Sequence, residues 1–118
     1  MTLRQKHFKR HEFECRCGCG YDTVDVETLE VLEVIRAWAN APVHINSACR
    51  CLKHNRNVGS KDTSQHVKAR AVDIEVDGKT PMEVYMFLAD EYPDTYGIGN
   101  YKTFTHFDSR AVMARWIR

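Results

Sequence analysis

The sequence has no long hydrophobic run. Its longest strongly apolar stretch lies near Val84 to Ala89, far short of the roughly 18 to 20 residues a bilayer-spanning helix needs. No membrane span is therefore expected. The opening residues MTLRQKHFKRHEF are basic but lead into no apolar core segment and no small-residue cleavage site. They are read as carrying no secretory signal, so synthesis in the cytoplasm is expected. An excess of one charge is also missing, with 17 Lys+Arg against 16 Asp+Glu and a net charge of +1. Phosphate binding needs clustered, uncompensated basic residues, and here they are interleaved with acids. No nucleic-acid partner is expected. The basic start, Arg4 to Arg10, and the end, Arg110 to Arg118, read as solvated termini. Internal repeats, low-complexity blocks and interdomain linkers are absent as well. The 118 residues therefore predict one domain over 1–118, with room for a single core. It is expected to act as a monomer.

Periodicity supplies the elements. Val26 to Ala39 carries apolar residues at helical spacing after a cap at Asp25, and Pro42 ends the segment. Val43 to Ser47 alternates as a half-buried strand does. A long polar loop, Arg50 to Gln65, holds the turn formers Asn57, Gly59, Ser60 and Asp62; loops of this length in small domains usually line a functional site. In Ala71 to Val76 the period of two sends Val72, Ile74 and Val76 to one face and Asp73 and Glu75 to the other. Thr80-Pro81-Met82-Glu83 is a helix start with a cap, proline in the first turn and a capping-box glutamate. That helix should run to about Glu91, before Pro93. Tyr96 to Asn100 and Phe104 to Ser109 read as strands joined by a turn at Tyr101 to Thr103. The order predicts an α+β fold, a small antiparallel sheet backed by helices.

The sharpest constellation is Ser64-Gln65-His66 with Asp73 seven residues after the histidine, then His106 and Asp108; read by spacing alone, such residues can also be solvated or capping groups. Two imidazoles and a carboxylate suit Zn²⁺, and three protein ligands leave the fourth tetrahedral position open, which separates a catalytic site from a structural one. His106 and Asp108 share a strand face. The remaining His7, His11, His44 and His54 read as surface or packing residues, and Trp38, Trp116, Tyr85, Phe87 and Tyr92 as core and rim. Five cysteines, at 15, 17, 19, 49 and 51, cannot all pair. Cys15, Cys17 and Cys19, with Cys51, could form a thiolate zinc site or one or two disulfides. Because C-x-C-x-C is not the usual C-x-x-C knuckle, free thiols or a disulfide are the expectation.

The run SQHVKARAVDI resembles the S-x-H-x-x-G-x-A-x-D motif of the M15 zinc peptidases, the D-alanyl-D-alanine peptidase family, and GIGNYKTFTHFDSR resembles their second zinc-histidine segment. FECRCGCGYDTVD and INSACRCLKHNRNVGS resemble small members found in phages and prophages. The likeness runs from about Phe13 to Trp116. It implies the hedgehog/D-Ala-D-Ala peptidase fold, with His66, Asp73 and His106 as Zn²⁺ ligands and Arg50 near the substrate's peptide or carboxylate. It implies hydrolysis of peptidoglycan peptides by a metal-activated water, as a carboxypeptidase or an endolysin-type endopeptidase. Action on the cell wall would follow release by phage lysis machinery or presence in a virion.

Two positions depart from the pattern. The family glycine three residues after the first histidine is Ala69, and the Glu or Asp that many relatives place three residues before the second is Thr103. Threonine cannot serve as a general base, so Asp108 is the candidate for that role, with simple orientation of His106 as its other reading. The missing acid keeps a rival open: a non-catalytic zinc domain that binds wall peptides or a protein partner, as zinc-bearing hedgehog domains of similar fold are thought to do.

Overall fold

The computed structural model describes residues 7–118; Arg4 and Lys6, in the basic start, lie outside them. After a 3-10 turn at Arg10–Phe13 come α1 (Val26–Ala39), β1 (Val43–Ser47), α2 (Leu52–Asn57), β2 (Ala71–Val76), α3 (Pro81–Glu91), β3 (Gly97–Asn100), β4 (Thr105–Asp108) and β5 (Ala114–Ile117). The strands form one sheet in the order β1-β2-β4-β3-β5, antiparallel except for the parallel β3–β5 pair. The fold is α+β, as expected.

Helix boundaries follow local chemistry. The Asp25 side chain accepts from the Thr28 amide at the start of α1. At the other end, Asn40 takes a left-handed conformation (φ 49°) and closes the helix, so termination comes two residues before Pro42 and does not depend on it. For α3, Thr80 and Glu83 form the reciprocal capping box and Pro81 occupies the first turn.

One face of the sheet packs on α1 and α3. Val72 and Ile74 of β2, Ile98 of β3 and Phe107 of β4 join Leu32, Ile35, Val84 and Leu88 in the core, all at most 1% exposed. Alternation then delivers Asp73, His106 and Asp108 to the opposite face.

Two segments differ from the sequence reading. The polar loop Arg50–Gln65 contains the short helix α2, held by Asn55, whose buried side chain donates to the Lys61 carbonyl at 2.8 Å. The C-terminal segment, expected to be a solvated tail, instead supplies β5. Its Arg115 guanidinium binds the carbonyls of Tyr92, Thr95 and Tyr96, and backbone anchoring of that kind leaves no hydrophobic run to read. Trp116 lies over Gly99, where an added Cβ would run into the indole.

Ala69, at the family's glycine position, sits at φ +58°. Left-handed backbone costs an L-residue roughly 1 to 2 kcal/mol, which glycine avoids while losing part of the gain to its unfolded-state entropy. Ala69→Gly should therefore raise unfolding free energy by up to about 1 kcal/mol, read as a higher denaturant midpoint; a lower midpoint would show the position unstrained.

Candidate metal centre

Register builds the centre. Asp73 of β2 is the cross-strand partner of His106 of β4, so their side chains leave the same face side by side. His66 arrives from the turn-rich segment before β2, where its backbone carbonyl accepts from the Arg50 amide at 3.0 Å. All three are at least nine-tenths buried, and one donor atom from each lies within 4.8 Å of the others.

Each imidazole has one nitrogen engaged away from the cluster. His66 Nδ1 lies 2.6 Å from the Ala48 carbonyl, which can only accept, so Nδ1 carries the proton and Nε2 keeps its lone pair, 3.3 Å from Asp73 Oδ2. His106 Nε2 lies 2.7 Å from Asp108 Oδ2, and its Nδ1 is 2.9 Å from Asp73 Oδ1. The His66 lone pair, the Asp73 carboxylate and His106 Nδ1, which gives up its proton when a metal takes its place, thus converge. Ligands bound tetrahedrally at roughly 2.0 to 2.2 Å stand about 3.3 to 3.5 Å apart, so these separations fit a divalent metal after small adjustments.

Electrostatics hold the carboxylates ionised. Burial alone would raise the Asp73 pKa, but hydrogen bonds and charge from His106 and His66 keep its carboxyl well below the usual carboxylate range. Asp108 behaves alike: burial opposes its ionisation, and His106 with Arg110 overcomes that opposition. For His106, burial favours the neutral ring, yet the two flanking carboxylates push its pKa up.

Arg50 is no solvated surface residue. Its guanidinium reaches Asp73 Oδ2 at 3.5 Å, Ser47 Oγ at 3.3 Å and the side chains of Asn55 and Ser60 at 3.2 Å. Burial draws its pKa down against the pull of Asp73. Arg50, Ser60, Ser64, His66, Asp73, Tyr101, Phe104 and His106 line a cleft of about 290 Å³.

Asp108 is placed differently from these. It is fully buried, and Arg110 grips both its oxygens through Nε at 2.7 Å and Nη2 at 2.8 Å. It meets the His106 nitrogen that faces away from Asp73 and does not line the cleft. Thr103 is exposed in the turn after β3 and borders another cleft, with His44, Glu75 and Pro81.

The sequence reading missed Tyr101, Arg110 and the role of Trp116. Tyr101 stacks on Phe104 at 4.4 Å, and its hydroxyl accepts from Trp116 Nε1 at 2.9 Å, leaving its own proton to give. The Trp116 ring stands 5.2 Å from His106, and the Arg110 guanidinium lies over the indole at 5.3 Å. Trp116 is therefore a wall of the centre and no ordinary rim residue. A signal for Arg110 existed in its closeness to Asp108, a cation two residues beyond the carboxylate. Gly97 fits the same account, since a Cβ there would collide with Asp108 and Arg110.

His106 and Asp73 on one sheet face, joined by His66 from the turn segment before β2, form a candidate metal-binding group that opens into a polar cleft. The family model for Peptidase M15 matches residues 6–108, and the chain belongs to that peptidase family. No curated protein matches it. Strand β5 and Trp116 lie beyond the matched residues.

Proposed function

We propose that this protein is a zinc-dependent peptidase that hydrolyses peptide bonds of bacterial peptidoglycan. The observation that carries the reading is the convergence of His66 Nε2, His106 Nδ1 and the Asp73 carboxylate beside Arg50 in one cleft. His66, Asp73 and His106 would hold the zinc, which would supply Lewis-acid polarisation of a carbonyl and a water nucleophilic at neutral pH. The Ala48 carbonyl and Asp108 fix the tautomers that aim the two imidazoles, as groups behind metal-binding histidines commonly do. Arg50 offers a cation for a substrate carboxylate or for negative charge developing on the carbonyl oxygen. The Tyr101 hydroxyl can donate to the same substrate, and the Tyr101–Phe104 stack forms an apolar wall. A polar cleft flanked by a cation and an aromatic wall suits a short peptide ending in a carboxylate.

One observation favours the second reading, a zinc domain that binds wall peptides without cutting them. Among the described residues, Asp73 is the only carboxylate lining the cleft, so no acid replaces the one missing at Thr103.

Release of new amino groups from purified peptidoglycan separates the two readings. The peptidase should release them with zinc and stop when chelator is added, with fragment masses identifying the bond. Chelator-independent release would exclude the metallopeptidase reading. No release, from folded protein holding zinc in this cluster and retaining the peptide, would establish the binding domain.

A further inference from the structure

A second group of metal-binding side chains lies outside this centre. Cys15, Cys17, Cys19 and Cys51 place their sulfurs within 4.8 Å of one another. The Cys15–Cys17, Cys17–Cys51 and Cys15–Cys51 separations are 3.5, 3.6 and 3.9 Å. A disulfide would need about 2.05 Å. Four thiolates placed tetrahedrally around zinc, each at about 2.3 Å, stand about 3.8 Å apart, and four cysteines form a closed site with no open position.

The surrounding backbone is shaped to present sulfurs. Gly18 and Gly20 adopt φ of +80° and +93°, and the loop closes on itself through Cys15 N to Tyr21 O at 2.6 Å and Gly18 N to Cys15 O at 3.1 Å. Amides of Cys51 and His54 point at the sulfurs of Cys15 and Cys51. Arg16 ties the loop to β1 through the Ile45 and Asn46 carbonyls. The fifth cysteine stands apart: buried Cys49 donates to the carbonyls of Phe13 and Tyr21 at 3.1 Å, which needs the protonated thiol.

We propose that Cys15, Cys17, Cys19 and Cys51 bind a structural zinc ion that clips the loop before α1 to the segment following β1. The site is independent of the His66–Asp73–His106 cluster, but its fourth ligand adjoins that cluster's supports. Cys51 directly follows Arg50, and the Ala48 carbonyl that orients His66 lies three residues earlier. The clip therefore fixes the strip of backbone on which both depend.

The full chain carrying His66→Ala and His106→Ala, purified under reducing conditions, tests the assignment. Metal analysis should find one zinc per chain, released when a mercurial reagent titrates the thiols. Exchange for Co²⁺ should give the sulfur-to-cobalt charge-transfer absorption of a tetrahedral thiolate site. Adding Cys17→Ser should abolish or weaken this binding, whereas Cys49→Ala should leave it unchanged. Should the Cys17→Ser chain fail to fold, alkylation of the parent decides: zinc must protect four thiols and leave Cys49 outside the protected set. Freely alkylated thiols without metal, or a disulfide among the four in freshly purified protein, would overturn the proposal.

Discussion

If the proposed function holds, His66→Ala should empty the His66–Asp73–His106 cluster of metal and lower peptidoglycan hydrolysis to the level of chelator-treated protein. The expected fall is about 10³-fold or more, since metal assistance supplies several kcal/mol of transition-state stabilisation and each 1.4 kcal/mol is a factor of ten. The remaining Asp73 and His106 would form a two-point site. Some stability should go as well. The side chain is 5% exposed, and its loss leaves the Ala48 carbonyl without its ring donor, at a cost of about 1 to 3 kcal/mol. Circular dichroism with metal analysis separates the two effects: a folded variant should hold one metal ion fewer than the parent. Full hydrolysis by that variant would exclude His66 as a ligand.

The second large effect concerns Asp108, where the geometry distinguishes two roles. A base would act on the cleft side of the cluster, but Asp108 is buried behind His106 with both oxygens on Arg110. Asp108→Asn should therefore weaken zinc binding by about 10- to 100-fold, the usual effect of removing a carboxylate behind a metal-binding histidine. Hydrolysis should then recover towards the parental rate as zinc is raised. A base would give the opposite division, with zinc affinity kept and turnover lost at every zinc concentration. Arg110→Ala should move in the same direction as Asp108→Asn, more weakly, because it releases the carboxylate without removing it.

What the sequence disclosed, and what it hid, follows from the range of the interactions. The period-two pattern of Val72, Ile74 and Val76 and the capping box at Thr80 and Glu83 are local, and both structures form where expected. The grouping of His66, Asp73 and His106 was legible because strand alternation makes it plausible and the resemblance of SQHVKARAVDI and GIGNYKTFTHFDSR to the M15 motifs singles out the three. Strand β5 was not, since Arg115 binds carbonyls of Tyr92, Thr95 and Tyr96, and such long-range contacts leave no period in the chain. Arg50 looked like one polar residue among many; only the folded loop brings Ser47, Asn55, Ser60 and Asp73 around it. The cysteine cluster was obscured by its spacing. C-x-C-x-C gives three sulfurs from one short loop, and their closeness to Cys51 depends on how that loop docks against the segment after β1.

The pairing of Asp73 with His106 across β2 and β4 has a consequence for how the chain matures. A slip of one residue between these strands would turn His106 towards the helices and drive Phe107 out of the core, destroying hydrophobic packing and metal affinity together. A misregistered sheet thus has no cluster to load. A metal ion that binds only the correctly aligned form would act as a thermodynamic proofreader, drawing the ensemble towards native alignment by RT ln(1 + [M]/Kd).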